Sequence, residues 1–299
     1  MGPWPQRPGA KLFFAAMGGS SLPGDLVNDY FAGALRLDLI RDYELPKSAG
    51  PDDLVIAASF SGNTEETLAA FQEGLNRRCK VLALSNGGKL EGACRASSVP
   101  WIKIPDCIQP RCASGYFFAS LLTLFHRLGL IEDSPKALLA DLEEFLSEIQ
   151  DECEAKGREL VAALGDCVPI VYAPSNLGGV ARIWKIKFNE NSKIQSFYNV
   201  FPELNHNEMV GFTRLLMKPA LLYLESNFMH PRILRRMDVM EELLGGQLPV
   251  LRVKLRGATP LRETFEALAI GDYASYHLAQ RHGVDPTPVE MVETFKKKL

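Results

Sequence analysis

Short apolar runs that stop at Gly, Ser or Asn alternate along the chain with longer segments whose apolar residues recur at helical spacing. That is the pattern of buried parallel strands connected by helices. In the first half, 11–16, 54–59, 80–84 and 100–104 predict strands, and 24–35, 64–77 and 113–128 predict helices between or after them. A Glu-rich stretch at 134–164 follows, with Leu138, Leu139, Leu142, Phe145, Leu146 and Ile149 in one helical stripe. The alternation then restarts, with strands at 169–173, 220–225 and 249–254 and helices at 177–187, 232–244 and 262–281. This predicts an α/β protein of two doubly wound domains, residues 1–150 and 151–299, each a mostly parallel sheet flanked by helices. The strand ends Met17-Gly18-Gly19-Ser20-Ser21 and Tyr172-Ala173-Pro174-Ser175-Asn176 occupy the same point of their halves, which hints at a duplication.

Composition agrees with two cores: the chain has 299 residues, 46% of them hydrophobic. Its formal charge of -3 and dispersed Lys and Arg, apart from Lys296-Lys297-Lys298, argue against a nucleic-acid partner. The apolar runs fall short of the roughly 20 residues a membrane span needs, and the start of the chain lacks a signal-peptide apolar core, so the expected location is the cytoplasm. Cys79, Cys94, Cys107, Cys112, Cys153 and Cys167 form no C-x-x-C and read as reduced, structural thiols. The five histidines are scattered, leaving Glu203, His206 and Glu208 as the one cluster with metal-ligand chemistry; no metal is expected.

Chemistry concentrates first in Ser59-Phe60-Ser61-Gly62-Asn63-Thr64-Glu65-Glu66-Thr67, which follows a strand and opens a helix. Unpaired backbone N–H groups at such a helix start bind phosphate without a nearby lysine, and Ser59, Ser61 and Thr64 add neutral donors. The competing reading is an ordinary cap, because Asn63 with Glu66 approximates a capping box. Gly18-Gly19-Ser20-Ser21 forms a second such loop after the first strand. Gly19 and Gly24 fit G-x-x-x-x-G, but Asp25 and Leu26 stand where a P-loop needs Lys and Ser or Thr, and no G-x-G-x-x-G occurs. Two Ser-rich turns at strand carboxyl ends suit a compact phosphomonoester better than a nucleotide; the alternative is tight chain reversal alone.

This loop pair resembles the phosphosugar loops of sugar-isomerase-type (SIS) domains. Phe188-Asn189-Glu190-Asn191-Ser192-Lys193 and Pro202-Glu203-Leu204-Asn205-His206-Asn207 resemble the catalytic segments of SIS-type bifunctional phosphoglucose/phosphomannose isomerases, and Gly283-Val284-Asp285-Pro286-Thr287-Pro288 is similar to their ending. The resemblance spans nearly the whole chain. It implies two SIS domains, interconversion of glucose 6-phosphate, and of mannose 6-phosphate, with fructose 6-phosphate, no metal or organic cofactor, and a homodimer.

Aldose–ketose isomerisation needs a carboxylate base, a ring-opening acid/base and a cation beside the developing enediolate. The resemblance assigns these to Glu190, to His206 reaching across a dimer interface, and to Arg111. It implies Ser20, Ser21, Ser59, Ser61 and Thr64 as phosphate ligands, with Gly19 and Thr287 beside the sugar. Two departures stand out: Phe60 occupies a position where many relatives have Tyr, and only residues 1–10 precede the first strand, where family members usually have a helical segment. The rival readings are an isomerase of another phosphosugar, a non-catalytic sugar-phosphate sensor, and a metal-dependent mannose 6-phosphate isomerase. The short start leaves no room for a DNA-binding helix-turn-helix, which counts against a DNA-linked sensor.

Overall fold

The computed structural model describes residues 10–299; residues 1–9 of the leading segment lie outside the described residues. The chain divides into two compact units, one up to Asp141 and one from Leu142. The first runs β1 (Leu12–Ala16), α1 (Leu22–Phe31), β2 (Asp38–Ile40), β3 (Leu54–Ala58), α2 (Glu65–Asn76), β4 (Lys80–Ser85), α3 (Gly88–Ser97), β5 (Trp101–Lys103) and α4 (Ser114–Arg127). The division falls within α5 (Pro135–Leu164). The second unit continues with β6 (Val168–Pro174), α6 (Gly178–Glu190), β7 (Phe197–Phe201), β8 (Pro219–Glu225), α7 (Pro231–Leu244), β9 (Val250–Lys254), α8 (Pro260–Arg281) and α9 (Glu290–Lys296).

The first sheet is parallel throughout, in the order β2-β1-β3-β4-β5. β1 and β3 are buried at every position, as expected of strands covered on both faces. Phe13, Val55 and Val81 pack with Phe71 of α2, whereas Phe14 points the other way, against Gly24 of α1. In the second unit the parallel order is β7-β6-β8-β9. Ile170, Tyr172, Leu221 and Tyr223 form a core with Met237, Met240 and Leu244 of α7. α6 packs on α8, where Trp184 Nε1 donates to Ala267 O at 2.8 Å and Gly271 lies under the same indole.

Both sheets reverse their winding between two central strands: β1 and β3 in the first unit, β6 and β8 in the second. Loops beyond the carboxyl ends of such strands diverge and leave a crevice. The turns Gly18–Ser21 after β1 and Ser175–Leu177 after β6 are both 3-10 turns feeding a helix, so the two strand ends match in structure as well as position.

The hydrophobic pattern missed β2, α3, β7 and α9. β2 has three residues, too few for a period to register. α3 carries Gly88 and Gly92 and buries only Leu90 and Cys94. β7 is an edge strand exposed at Phe197 and Tyr198. Two helix ends also differ: α1 begins at Leu22 and stops at Phe31, because Ala32 and Gly33 take left-handed φ values of 44° and 94°, and α6 runs on to Glu190. Among the described residues no helix is long and apolar enough to cross a membrane. All six cysteines are free, and burial pushes the Cys94 and Cys153 thiols up to about 11.

Candidate functional site

The β1–β3 register pairs Ala16 with Ala58, so the two Ser-rich loops leave the sheet at one level. They are tied together there: Ser20 Oγ accepts from Phe60 N at 2.8 Å. Within the second loop Ser59 Oγ accepts from Gly62 N at 3.1 Å and shares a 2.9 Å hydrogen bond with Thr64 Oγ1. Ser61 Oγ accepts from Asn63 N at 3.2 Å. The hydroxyl protons of Ser20 and Ser61, and one of the two on Ser59 and Thr64, thus have no acceptor among the described residues. They gather at the start of α2, whose N-cap Thr64 makes no side-chain cap bond. The capping-box reading fails in this structure, because Asn63 turns to the start of α3, where its Oδ1 accepts from Lys89 N at 3.1 Å. An uncapped helix start ringed by unspent hydroxyl donors is chemically an oxyanion site.

Ser21 differs from the other four hydroxyls. It donates to Gly18 O at 2.9 Å and accepts from Arg41 Nε at 3.4 Å, so its hydroxyl braces the turn from inside. Arg41 is held in turn by Asp25, at 2.6 and 2.7 Å from the two carboxylate oxygens.

Arg111 joins this end of the first unit through the backbone. It lies in the 3-10 turn Pro110–Cys112, is 3% exposed, and its turn presses on Gly19. A Cβ on Gly19 would stand 2.5 Å from Arg111 N and 2.7 Å from Pro110 C, so only glycine permits the approach. Gly62, at φ +67°, plays the same part towards Gly87 of the loop after β4. Sequence reasoning singled out Gly19 but assigned no role to the Gly62–Gly87 contact; the sole signal for it was a glycine cluster, Gly87-Gly88, after the next strand.

In the second unit, Glu190 is the last residue of α6 and half-buried. The α6 end is anchored to α8: Asn191 Nδ2 donates to Ser275 Oγ at 2.9 Å, and Ser192 Oγ to Ser275 O at 2.6 Å. Lys193 Nζ donates to Glu190 O, to Pro288 O at 2.5 Å and to Pro286 O at 3.3 Å. The lysine therefore clips the loop carrying exposed Thr287 onto the helix that ends in Glu190. Its clamp role had no sequence signal, since its partners are backbone carbonyls more than ninety residues away.

His206 lies elsewhere. α6 starts beside the carboxyl end of β7, with Gly178 against Val200, and runs back to the amino end, where Ser196 Oγ donates to Pro169 O at 2.8 Å. Glu190 is thus at the amino end of the second sheet. The turn Glu203–His206 follows the carboxyl end of β7. The length of α6, about 18 Å at 1.5 Å per residue, separates the two ends. The structure brings Glu190 and Thr287 together within the unit, and it does not bring His206 to them. The His206 ring is exposed and makes no polar contact among the described residues. Glu203 accepts from Asn207 Nδ2 at 2.9 Å and Glu208 from Tyr172 and Asn199; no group of residues able to hold a metal occurs among the described residues.

The winding reversal of the second unit is chemically different from that of the first. Asn176 Nδ2 donates to Ser226 Oγ at 3.1 Å, which bridges the two loops. The donors of the loop after β8 are spent on Glu263 of α8: Ser226 Oγ at 2.5 Å, Asn227 N at 2.8 Å and Asn227 Nδ2 at 2.7 Å. Glu263 is 1% exposed, and burial raises its pKa against the lowering effect of those hydrogen bonds. A built-in carboxylate thus satisfies the loop that in the first unit keeps its donors unspent.

Comparison with known proteins places this geometry. Residues 154–299 match the family described as the bacterial phospho-glucose isomerase C-terminal SIS domain. The chain is 36% identical to a bifunctional phosphoglucose/phosphomannose isomerase from Caldicellulosiruptor bescii, over 97% of this chain and 89% of that protein. It is 32% identical to the enzyme of the same name from Thermoplasma acidophilum, over 97% of this chain and 90% of that protein. In fold it is similar to the crystal structure of tagatose-6-phosphate ketose/aldose isomerase from Escherichia coli, with a TM-score of 0.70, 18% identity, and coverage of 93% of this chain and 84% of that one. Two parallel SIS-type sheets, and identity sustained along almost the whole length of named relatives, make this chain a member of the bifunctional phosphoglucose/phosphomannose isomerase family.

Proposed function

We propose that this chain interconverts glucose 6-phosphate, and mannose 6-phosphate, with fructose 6-phosphate through an enediolate. The observation that carries the reading is the uncapped start of α2, where unspent hydroxyls of Ser20, Ser61 and the Ser59–Thr64 pair meet beside the Arg111 turn. Phosphate accepts from the three unspent protons, of Ser20, Ser61 and one of the Ser59–Thr64 pair, and Ser21 shapes the turn beneath them. With the sugar fixed by its phosphate, positioning lowers the barrier to a proton transfer at the far end.

Each chemical step has a group suited to it. His206 takes the proton of the anomeric hydroxyl and passes it to the ring oxygen as the C1–O5 bond breaks, opening the pyranose. Glu190 removes the C2 proton of the aldose; the electron pair moves into a C1–C2 double bond, giving an enediol(ate) whose charge Arg111 stabilises. The proton returns to C1, a hydroxyl proton shifts from O2 to O1, and the ketose results. For the mannose epimer, rotation about C2–C3 presents the other C2–H to the same base. No step calls for a metal or organic cofactor. The proposed compartment is the cytoplasm, where six free thiols stay reduced.

A homodimer belongs to this proposal. Glu190 and His206 stand at opposite ends of one sheet, so a reaction that uses both draws His206 from a second copy. Val210, four residues after His206, is 70% exposed, an apolar position that a partner surface would cover.

The test is conversion of each aldose phosphate to fructose 6-phosphate in EDTA, with Glu190→Gln as control. Wild-type turnover of both, and loss of both in the variant by at least about a hundredfold, is the expected result. Tight phosphosugar binding without turnover would replace the reading by that of a sensor, and turnover of a different phosphosugar alone by another isomerase.

A further inference from the structure

His206 is exposed on a short turn, yet that turn is fastened on both sides. Upstream, Ser175 Oγ donates to Phe201 O at 3.0 Å, and Leu204 is fully buried with Phe201, Tyr172 and Tyr223. Downstream, the carboxylate of Glu208, two residues after His206, is divided between two strands. Oε1 accepts from Tyr172 OH of β6 at 2.5 Å, and Oε2 accepts from Asn199 Nδ2 of β7. Neither partner can turn away. Asn199 Oδ1 accepts from Val200 N at 2.8 Å, which fixes its amide so that only the NH2 side faces Glu208. The Tyr172 ring is fully buried, edge-on to Phe201 and stacked on Tyr223. Burial, and then the Glu208 charge, raise the Tyr172 pKa, so the phenol remains a donor. Glu208 N donates to Asn207 Oδ1 at 2.6 Å, and Asn207 Nδ2 to Glu203 Oε1, which carries the restraint across His206.

A network this committed around an exposed ring has a use if the ring must be presented at a fixed place. We infer that Glu208, held by Tyr172 and Asn199, is the positioning residue that aims His206 for ring opening. The inference rests on the reading of His206 as the ring-opening group. Glutamine at 208 keeps the shape but sets its own NH2 against Tyr172 or Asn199, and Tyr172→Phe removes one hydrogen bond without changing the ring packing. Either change lets the turn drift, and displacement of a catalytic group by about 1 Å lowers rate by about a hundredfold at most.

The experiment uses the full-length protein with His206→Ala, Glu208→Gln, Tyr172→Phe and the double variant His206→Ala/Glu208→Gln. Turnover is measured on glucose 6-phosphate, and affinity is measured for 6-phosphogluconate, an open-chain sugar acid phosphate that needs no ring opening. Expected are falls in kcat of about ten- to a hundredfold in Glu208→Gln and Tyr172→Phe, affinity for 6-phosphogluconate within about twofold of wild type, and a double variant no slower than His206→Ala alone. Unchanged kcat in His206→Ala would remove the ring-opening reading and this inference with it. A normal kcat in Glu208→Gln and Tyr172→Phe beside an impaired His206→Ala would overturn the positioning role alone. A parallel loss of 6-phosphogluconate affinity, or a further fall in the double variant, would overturn it in favour of a general structural role. Should Glu208→Gln fail to fold, Tyr172→Phe carries the same comparison.

Discussion

Gly19 and Ser21 show how single atoms decide the serine-rich end of the first unit. The missing Cβ of Gly19 lets the Arg111 turn close on the first loop, so Gly19→Ala should push the two apart, raise KM for hexose phosphates and destabilise the fold by about 1–3 kcal/mol, read by steady-state kinetics and thermal unfolding. The adjacent serines should separate cleanly. Ser20→Ala removes an unspent donor and the Phe60 tie, and should raise KM by about tenfold; Ser21→Ala, losing an inward hydrogen bond, should leave KM near wild type and lower the melting temperature. Equal KM effects of the two would show that Ser21 faces ligand after all. Both residues read alike in the sequence as serines of one loop; the carbonyl of Gly18, three residues before Ser21, and Arg41, twenty residues after it, are what turn Ser21 inward.

At the scale of elements, the two winding reversals have the same architecture and opposite chemistry. Removing Glu263 leaves the buried Ser226 hydroxyl and the Asn227 backbone N–H without this acceptor, and Asn227 Nδ2 with Leu255 O alone, so Glu263→Ala should destabilise the second unit by about 3 kcal/mol in urea unfolding. The pH dependence has a definite sign. Because burial raises the Glu263 pKa, the folded chain holds this proton more tightly than the unfolded chain does. Its contribution to stability is therefore greatest below the ordinary carboxylate pKa and declines as pH rises through the raised value. Unfolding free energy of wild type minus that of Glu263→Gln should fall as pH rises above the ordinary carboxylate range. A difference that grew with pH would mean that the hydrogen bonds outweigh burial. The helical period at 177–187 identified α6, but its true end at Glu190, and the Lys193 clip to Pro286 and Pro288, come from contacts with the end of the chain.

For the whole molecule, the separation of Glu190 from His206 becomes a statement about assembly. Mixing inactive His206→Ala and Glu190→Gln subunits in equal amounts should restore up to about a quarter of wild-type activity, through hybrid dimers with one intact site of two. No recovery after proven subunit exchange would place both groups at separate sites or in one chain. Val210→Asp, at an exposed apolar position four residues after His206, should shift the protein towards monomer in light scattering and lower activity in parallel. A stable, fully active dimer would place the interface elsewhere.

Most of the architecture is legible along the chain because strands such as β1 and β3 are buried on both faces, so their apolar runs are continuous and end sharply at the loops that carry function. The same logic hid β7: an edge strand half open to solvent has no continuous run. Residue types and order were enough to nominate Ser20, Ser21, Ser59, Ser61 and Thr64, since binding a phosphate needs such hydroxyls at a helix start; Arg111, Glu190 and His206 were nominated by the resemblance of their motifs to a known family. Tertiary structure alone decided which hydroxyls keep their protons unspent, which crevice is filled by Glu263, and at which end of a sheet Glu190 and His206 stand. Those properties depend on hydrogen-bond partners tens of residues distant and on the direction in which a helix runs back along its sheet, and no local pattern encodes them.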